Sequence, residues 1–261
     1  MPVPVLTTPP SPLHLTPESF TPDSFAPYGT AITSPLPDHL THGPPPLDSL
    51  QQSQQHSSVT PVLANQSSAL KYSPVSPVNN EYPNRCPSGQ PESARMSLFA
   101  CFSRELRTAA GTSSPTTGFF DVRILERHPY TTQTFIPFNS TDGHHDQTEP
   151  LYLVIVAPSL KNQTTTATIP NTTTGKPETV TITDPPDLSK VKAFVARRGQ
   201  AVTYGAGTWH APMVVLGQRR LDFLVVQFAN GVGDEDVQEV EFGEGIEVQV
   251  EGADGKKTAR L

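Results

Sequence analysis

Proline constrains this chain more than any other residue. Of 29 prolines in 261 residues, 19 fall within residues 1–91 and only Pro212 lies in the last 75. Proline removes a backbone donor and clashes inside a helix, so a coiled coil or a long-helix protein is excluded. The gradient predicts a proline-poor folded unit preceded and interrupted by loops. A hydrophobic fraction of 35 % agrees, being low for a chain of this length packed throughout. The loops are expected at 37–60, which is rich in Pro, Gln, Ser and His, at 105–117, at 139–149, and at 160–185, a Thr/Asn tract with no plausible core face. Residues 1–12 form a flexible start and 243–261 an acidic, flexible tail in which IEVQVEG could add an edge strand. One domain over 13–242 remains.

Its segments read mostly as strands. SLFACF (97–102), FFDVRILERH (119–128), QTFIPF (133–138), YLVIVA (152–157), KAFVAR (192–197), QAVTY (200–204), PMVVL (212–216) and LDFLVVQFA (221–229) are short, rich in Val, Ile and Phe, and bounded by turn formers. A short helix begins at Thr16-Pro17, a turn sits at Pro186–Ser189, and a further helical pattern covers Asp234–Val240. Many short strands with few helices predict an all-β jelly roll or sandwich with a small helical N-terminal segment.

The net charge of −7 comes largely from residues 231–261, which hold nine acids against three bases. With no basic stripe, nucleic acid is not an expected partner. No apolar run approaches the roughly 18 residues needed to span a bilayer. Cys86 and Cys101 form no framework and no metal spacing, which suits free thiols in a reducing compartment. The start lacks a basic residue and is broken by prolines, unlike a secretory signal. Ala259-Arg260-Leu261 resembles a peroxisomal targeting tripeptide, so a cytoplasmic or peroxisomal location is expected.

Two stretches carry chemistry. In Leu125-Glu126-Arg127-His128-Pro129, Glu126 and His128 share one face of a strand, while Arg127 points away and reads as a solvated residue. A turn at Pro129 would bring Gln133 back to face them. In Gly199-Gln200-Ala201-Val202-Thr203-Tyr204-Gly205-Ala206-Gly207-Thr208-Trp209-His210, a strand runs into a Gly-x-Gly turn that delivers His210. These spacings resemble the two motifs of the cupin barrels, with Glu126-x-His128 and Gln133 standing where a cupin has His-x-His and Glu. If the fold is right, Glu126, His128, Gln133 and His210 converge and could hold one divalent ion, or act on an organic substrate directly. His39, His42, His56, His144 and His145 fall in the polar loops, where no fixed metal geometry is expected.

LERHPYTTQTFIPF, PPDLSKVKAF, GQAVTYGAGTWHAPMVVLG and LDFLVV resemble the ureidoglycolate lyase family, from about Leu15 to Glu241 outside the loops. The resemblance implies a cupin-like fold, a homodimer, and cleavage of ureidoglycolate to glyoxylate and urea in allantoin breakdown, with no cofactor needed for the chemistry. It implies His210 as general base, His128 or Glu126 as its assistant, and Asn65, Lys71, Gln133 and Tyr204 as substrate-binding residues. Asp222, isolated within LDFLVV, could orient a histidine or cap a turn at Arg219-Arg220. Ser67-Ser68 and Ala100 depart from the family, the latter at a position where its members carry an arginine. Two other readings stand beside this one: a metal-dependent cupin oxygenase or isomerase, and a non-catalytic small-molecule-binding cupin.

Overall fold

The computed structural model describes residues 3–6, 12–37, 39–53, 59–108, 117–138, 151–170, 176–197, 199–243 and 245–251. It is mostly β. A large central sheet runs in the order Pro177–Thr183, Thr164–Pro170, Val5–Leu6, Gln238–Phe242, Ile124–Arg127, Trp209–His210, Leu151–Ala157, Lys192–Arg197 and Glu18–Ser19, with Val214–Leu216 also pairing Leu151–Ala157. A second sheet has the order Gly29–Ile32, Ala201–Tyr204, Gln133–Pro137, Leu221–Ala229 and Ser93–Cys101. A third contains Leu13–Leu15, Ile246–Glu251, Thr117–Asp121 and Arg107–Thr108.

The central sheet is covered on both faces. Along Leu151–Ala157, Leu153, Ile155 and Ala157 pack with Phe120 and Val248 of the third sheet. Tyr152, Val154 and Val156 pack with Phe135, Val202 and Phe223 of the second. A strand buried on both sides reads as the unbroken apolar run seen in its sequence. This three-layer arrangement fits a mostly-β, cupin-like reading of the sequence. Among the described residues no helix is long and apolar enough to cross a membrane.

Several expectations need correction. The helix starts at Thr21-Pro22, covering Pro22–Phe25, rather than at Thr16-Pro17. Both Thr-Pro pairs carry the same signal, but Thr21 closes a reciprocal capping box with Ser24, while Glu18–Ser19 pairs with Phe194 and Val195. The second helical pattern stops after Gly233–Asp236 and continues as the strand Gln238–Phe242. FFDVRILERH is two strands, because the chain leaves the third sheet after Asp121 and enters the central one at Ile124.

The Thr/Asn tract 160–185 is not without structure. Thr164–Pro170 and Pro177–Thr183 form a seven-pair antiparallel ladder that joins the central sheet through Val5, and Ala167 is buried. Alternating β-branched threonines suit a pleated surface, and one small residue suffices for its inner side. Leu6, in the supposedly flexible start, is buried beside Phe242 in the same core. Ile246–Glu251 lies between two strands of the third sheet, with Ile246, Val248 and Val250 buried, rather than adding an edge strand. Within 37–60, Leu47–Ser53 is a helix and Leu50 is buried. The loop expected at 139–149 and the terminal Ala259-Arg260-Leu261 lie outside the described residues.

Candidate active site

Strand alternation decides which side chains meet. Leu125, Trp209 and Val240 turn into the core under the third sheet. Their neighbours Glu126, His210 and Glu239 therefore turn the other way, towards the second sheet. Glu126 is the direct cross-strand partner of His210 on one side and of Glu239 on the other. Three adjacent strands thus place Glu239, Glu126 and His210 in one row, with His128 two residues along from Glu126.

The two turns of the motifs are tied together by backbone. The amide of Gly207 donates to the His128 carbonyl at 2.8 Å, and Gly207 has φ +77°, a conformation that favours glycine. His210 then donates from Nδ1 to the Thr208 carbonyl at 3.0 Å, and His128 donates from Nδ1 to the Asp236 carbonyl at 2.7 Å. A carbonyl can only accept, so both rings carry a proton on Nδ1 and present Nε2 to the site. Nε2 of His210 lies 3.4 Å from Oε1 of Glu126 and 3.2 Å from Oε1 of Gln133. Gln133 is held in turn by donating to Gln227 at 2.6 Å. Nε2 of His128 is buried and has no hydrogen-bond partner.

Burial sets the electrostatics. Desolvation pushes the Glu126 carboxyl up, but the hydrogen bond and charge of His210 and the charge of His128 outweigh it, and the group sits below its ordinary range. His128 is held below the usual histidine range by burial and by His210, against the opposing pull of the Asp236 carbonyl, Glu126 and the nearby Gln133 side chain. Burial and the neighbouring Glu126 push Glu239 above the ordinary carboxylate range. Tyr204 is pushed well up by burial.

The donor set fits a metal. Ligand atoms of Glu126, His128 and His210 all lie within 4.8 Å of one another. Each imidazole is anchored through Nδ1 by a backbone carbonyl, the outer support that histidine ligands need. The orphaned Nε2 of His128 is the lone pair such an ion would take. The same atoms can equally serve proton transfer: Nε2 of His210 hydrogen-bonds Glu126 and Gln133 only as the imidazolium, and in the neutral ring its lone pair is free to accept a proton from a bound hydroxyl.

Of the residues expected in the site, Glu126, His128, Gln133 and His210 converge. Tyr204 is present in another manner: it is fully buried and its ring stacks on His210 at 3.9 Å between centroids, 9° from parallel. Asn65 and Lys71 sit at the turn and far strand of an exposed hairpin, Val62–Ala64 with Ala69–Lys71, and no described contact joins them to the triad. Ser67-Ser68 belongs to the same exposed turn. Asp222 pairs with Arg220 at 2.7 Å, on the turn side of its strand. Ala100 is the cross-strand partner of Asp222 on the outward face of the second sheet, away from the triad.

Arg127 is not solvated. It is 5 % exposed, donates to Thr183 and Asp184 carbonyls, Ser159 and Gln238, and stacks over Trp209 at 4.8 Å. The sequence reasoning missed Gln227, Glu239 and the carbonyls of Thr208 and Asp236. The alternation in Gln238-Glu239-Val240-Glu241-Phe242 was the available signal for Glu239, but its register against Glu126 was not readable.

The comparisons agree with the geometry. A family model described as ureidoglycolate lyase matches residues 12–249. The chain is 35 % identical over 165 residues to a ureidoglycolate lyase of Saccharomyces cerevisiae, covering 62 % of this chain and 67 % of that protein. It is 30 % identical over 222 residues to a ureidoglycolate lyase of Schizosaccharomyces pombe, covering 85 % and 87 %. A ureidoglycolate lyase of Burkholderia mallei is 33 % identical over 112 residues, covering 43 % and 46 %.

Proposed function

Because the chain belongs to the ureidoglycolate lyase family, we propose that it cleaves ureidoglycolate to glyoxylate and urea, a step of allantoin and purine breakdown. The substrate carbon carries a carboxylate, a hydroxyl and the ureido nitrogen. Removing the hydroxyl proton lets the C–O bond become the aldehyde carbonyl as the C–N bond breaks, and the departing nitrogen takes a proton. No water is consumed. The observation that supports this reading is His210, whose Nδ1 is fixed by Thr208 and whose Nε2 faces Glu126 and Gln133 in a buried row.

In this reading Nε2 of His210 takes the hydroxyl proton, Glu126 stabilises the resulting imidazolium, and Gln133 orients a polar group of the substrate. His128 stays neutral and offers its unpartnered Nε2 to the substrate. A second reading is favoured by that same orphaned atom: Glu126, His128 and His210 would hold a divalent cation, with Gln133 beside them. Such an ion, when bound, polarises a substrate oxygen as a Lewis acid. Release of urea and glyoxylate from ureidoglycolate by the purified chain, with and without chelator, tests both. No release under either condition refutes the function, and activity unchanged by chelation refutes the second reading.

The partner supported best is a second copy. Ser93–Cys101 is the nine-residue edge of the second sheet, and its outward face joins Met96 and Leu98 to Ile136 and Phe138, all exposed. An unpaired edge beside an apolar face is a template for strand pairing between chains. Sedimentation should give a dimer for the parent chain and a monomer for Leu98→Lys.

A further inference from the structure

Glu239 is a half-buried carboxylate for which the described residues supply no hydrogen bond or ion pair, and it stands directly across from Glu126 in the strand register. Like charges directly opposite in a sheet are destabilising. An arrangement that costs stability and lines a site is a place to look for a ligand that removes the cost. The independent pointer to a ligand here is Nε2 of His128, buried and unpartnered on the same face.

The chemistry of the substrate indicates which part that ligand presents. Ureidoglycolate has a negative end, its carboxylate, and a ureido end that is neutral and rich in N–H donors. Two carboxylates side by side repel the first and attract the second. In a singly substituted urea, the internal N–H and one N–H of the terminal amide point the same way, which makes a two-pronged donor matching the two oxygens of one carboxylate. Glu126 is already engaged with His210. Among the described residues, Glu239 is the carboxylate of the row whose oxygens have no hydrogen-bond or ion-pair partner.

Resting on the lyase reading above, we propose that Glu239 is the ureido-recognition residue of this site, accepting both N–H groups of the fork and so selecting ureido-bearing 2-hydroxy acids over hydroxy acids that lack the group. This orientation lays the carbinol carbon beside Glu126 and His210 and leaves the substrate carboxylate at the far end of the row. It also keeps the fork bound as urea departs.

The test compares two inhibitors of ureidoglycolate cleavage. N-carbamoylglycine keeps the ureido group and the carboxylate but lacks the reacting hydroxyl; oxalate keeps only the acid end. In Glu239→Gln and Glu239→Ala, the inhibition constant for N-carbamoylglycine and KM for ureidoglycolate should rise at least tenfold, with oxalate inhibition within twofold of the parent. Thermal melting of Glu239→Gln should be unchanged or higher, because the like-charge pair is gone. Unchanged N-carbamoylglycine inhibition overturns the assignment, and so does an equal loss for both inhibitors. If the parent chain neither cleaves ureidoglycolate nor binds N-carbamoylglycine by calorimetry, the lyase reading falls and takes this inference with it; if the parent does both and the variants keep both, only the role of Glu239 falls.

Discussion

Replacing Arg127 by methionine should cost far more than a surface substitution. The guanidinium donates twice to Oε1 of Gln238, at 2.9 and 2.7 Å, and once each to Ser159 at 3.2 Å, the Asp184 carbonyl at 2.9 Å and the Thr183 carbonyl at 2.8 Å. Methionine fills part of the stem's volume and supplies none of these donors. The Asp184 carbonyl keeps one partner, since Trp209 donates to it at 3.0 Å, and Ser159 keeps its bond to the Gly207 carbonyl at 2.7 Å. Gln238 keeps its own donation to Asp234, but its Oε1 and the Thr183 carbonyl lose their guanidinium donors. At about 1–3 kcal/mol for the half-buried Gln238 acceptor, less for the carbonyl of the exposed Thr183, plus the lost stacking on Trp209, the total comes to about 2–4 kcal/mol. For a domain of this size that lowers Tm by roughly 4–16 °C. Thermal and urea denaturation followed by Trp209 fluorescence measure it. Arg127→Lys should recover only part of the loss, because an ammonium cannot fork between Gln238 and two carbonyls. A loss under about 1 kcal/mol for Arg127→Met would show that the guanidinium is solvated after all, as its alternating position in the sequence suggests.

Other consequences are as direct. His210→Ala should lower kcat for ureidoglycolate by about 10²–10⁴, and a rate within tenfold of the parent rules the base assignment out. Tyr204→Leu removes the ring stacked on His210 and should lower kcat more than it raises KM, whereas a pure KM effect would make Tyr204 a substrate contact. His128 titrates below the ordinary histidine value of about 6.5, so below that pH the unfolded chain binds a proton the folded chain resists, and stability falls as the medium is acidified from about 6.5 towards the folded value. Urea midpoints should therefore decline below pH 6.5 in the parent and decline less in His128→Gln; parallel declines contradict the assigned burial effect.

How much of this could be read from the chain differs between local and non-local features. The strand LDFLVVQFA spans Leu221–Ala229 as its alternation and turn boundaries foretell, and YLVIVA is buried on both faces as its continuous apolar run implies. Glu126, His128, Gln133 and His210 were legible because strand period and a Gly-x-Gly turn fix directions within a few residues. Arg127 was misread for the same reason. The period of two places it opposite Glu126 correctly, but whether that opposite face meets water depends on Thr183, Asp184 and Ser159, which arrive from elsewhere in the chain. Asn65 and Lys71, offered as substrate-binding residues by the family resemblance, lie on an exposed hairpin that no described contact joins to the triad.

The row Glu239–Glu126–His210 carries this argument furthest. Its members come from three strands whose pairing joins residues 113 and 84 positions apart, and each looks ordinary in its own segment. A glutamate alternating with valine and phenylalanine is what any amphipathic strand shows. Only register turns it into the neighbour of a second carboxylate, and register is set by packing across the whole sheet, with Leu125 and Val240 locked into the core beneath. A one-residue slip of either strand would bury its glutamate there and turn its apolar neighbour towards the site, so the apolar packing of one face holds the charged geometry of the other. A substitution that loosens it, such as Val240→Ala, should therefore weaken N-carbamoylglycine inhibition as well as stability, although Val240 faces away from the site. Weakened stability with unchanged inhibition would separate the two faces and contradict the coupling.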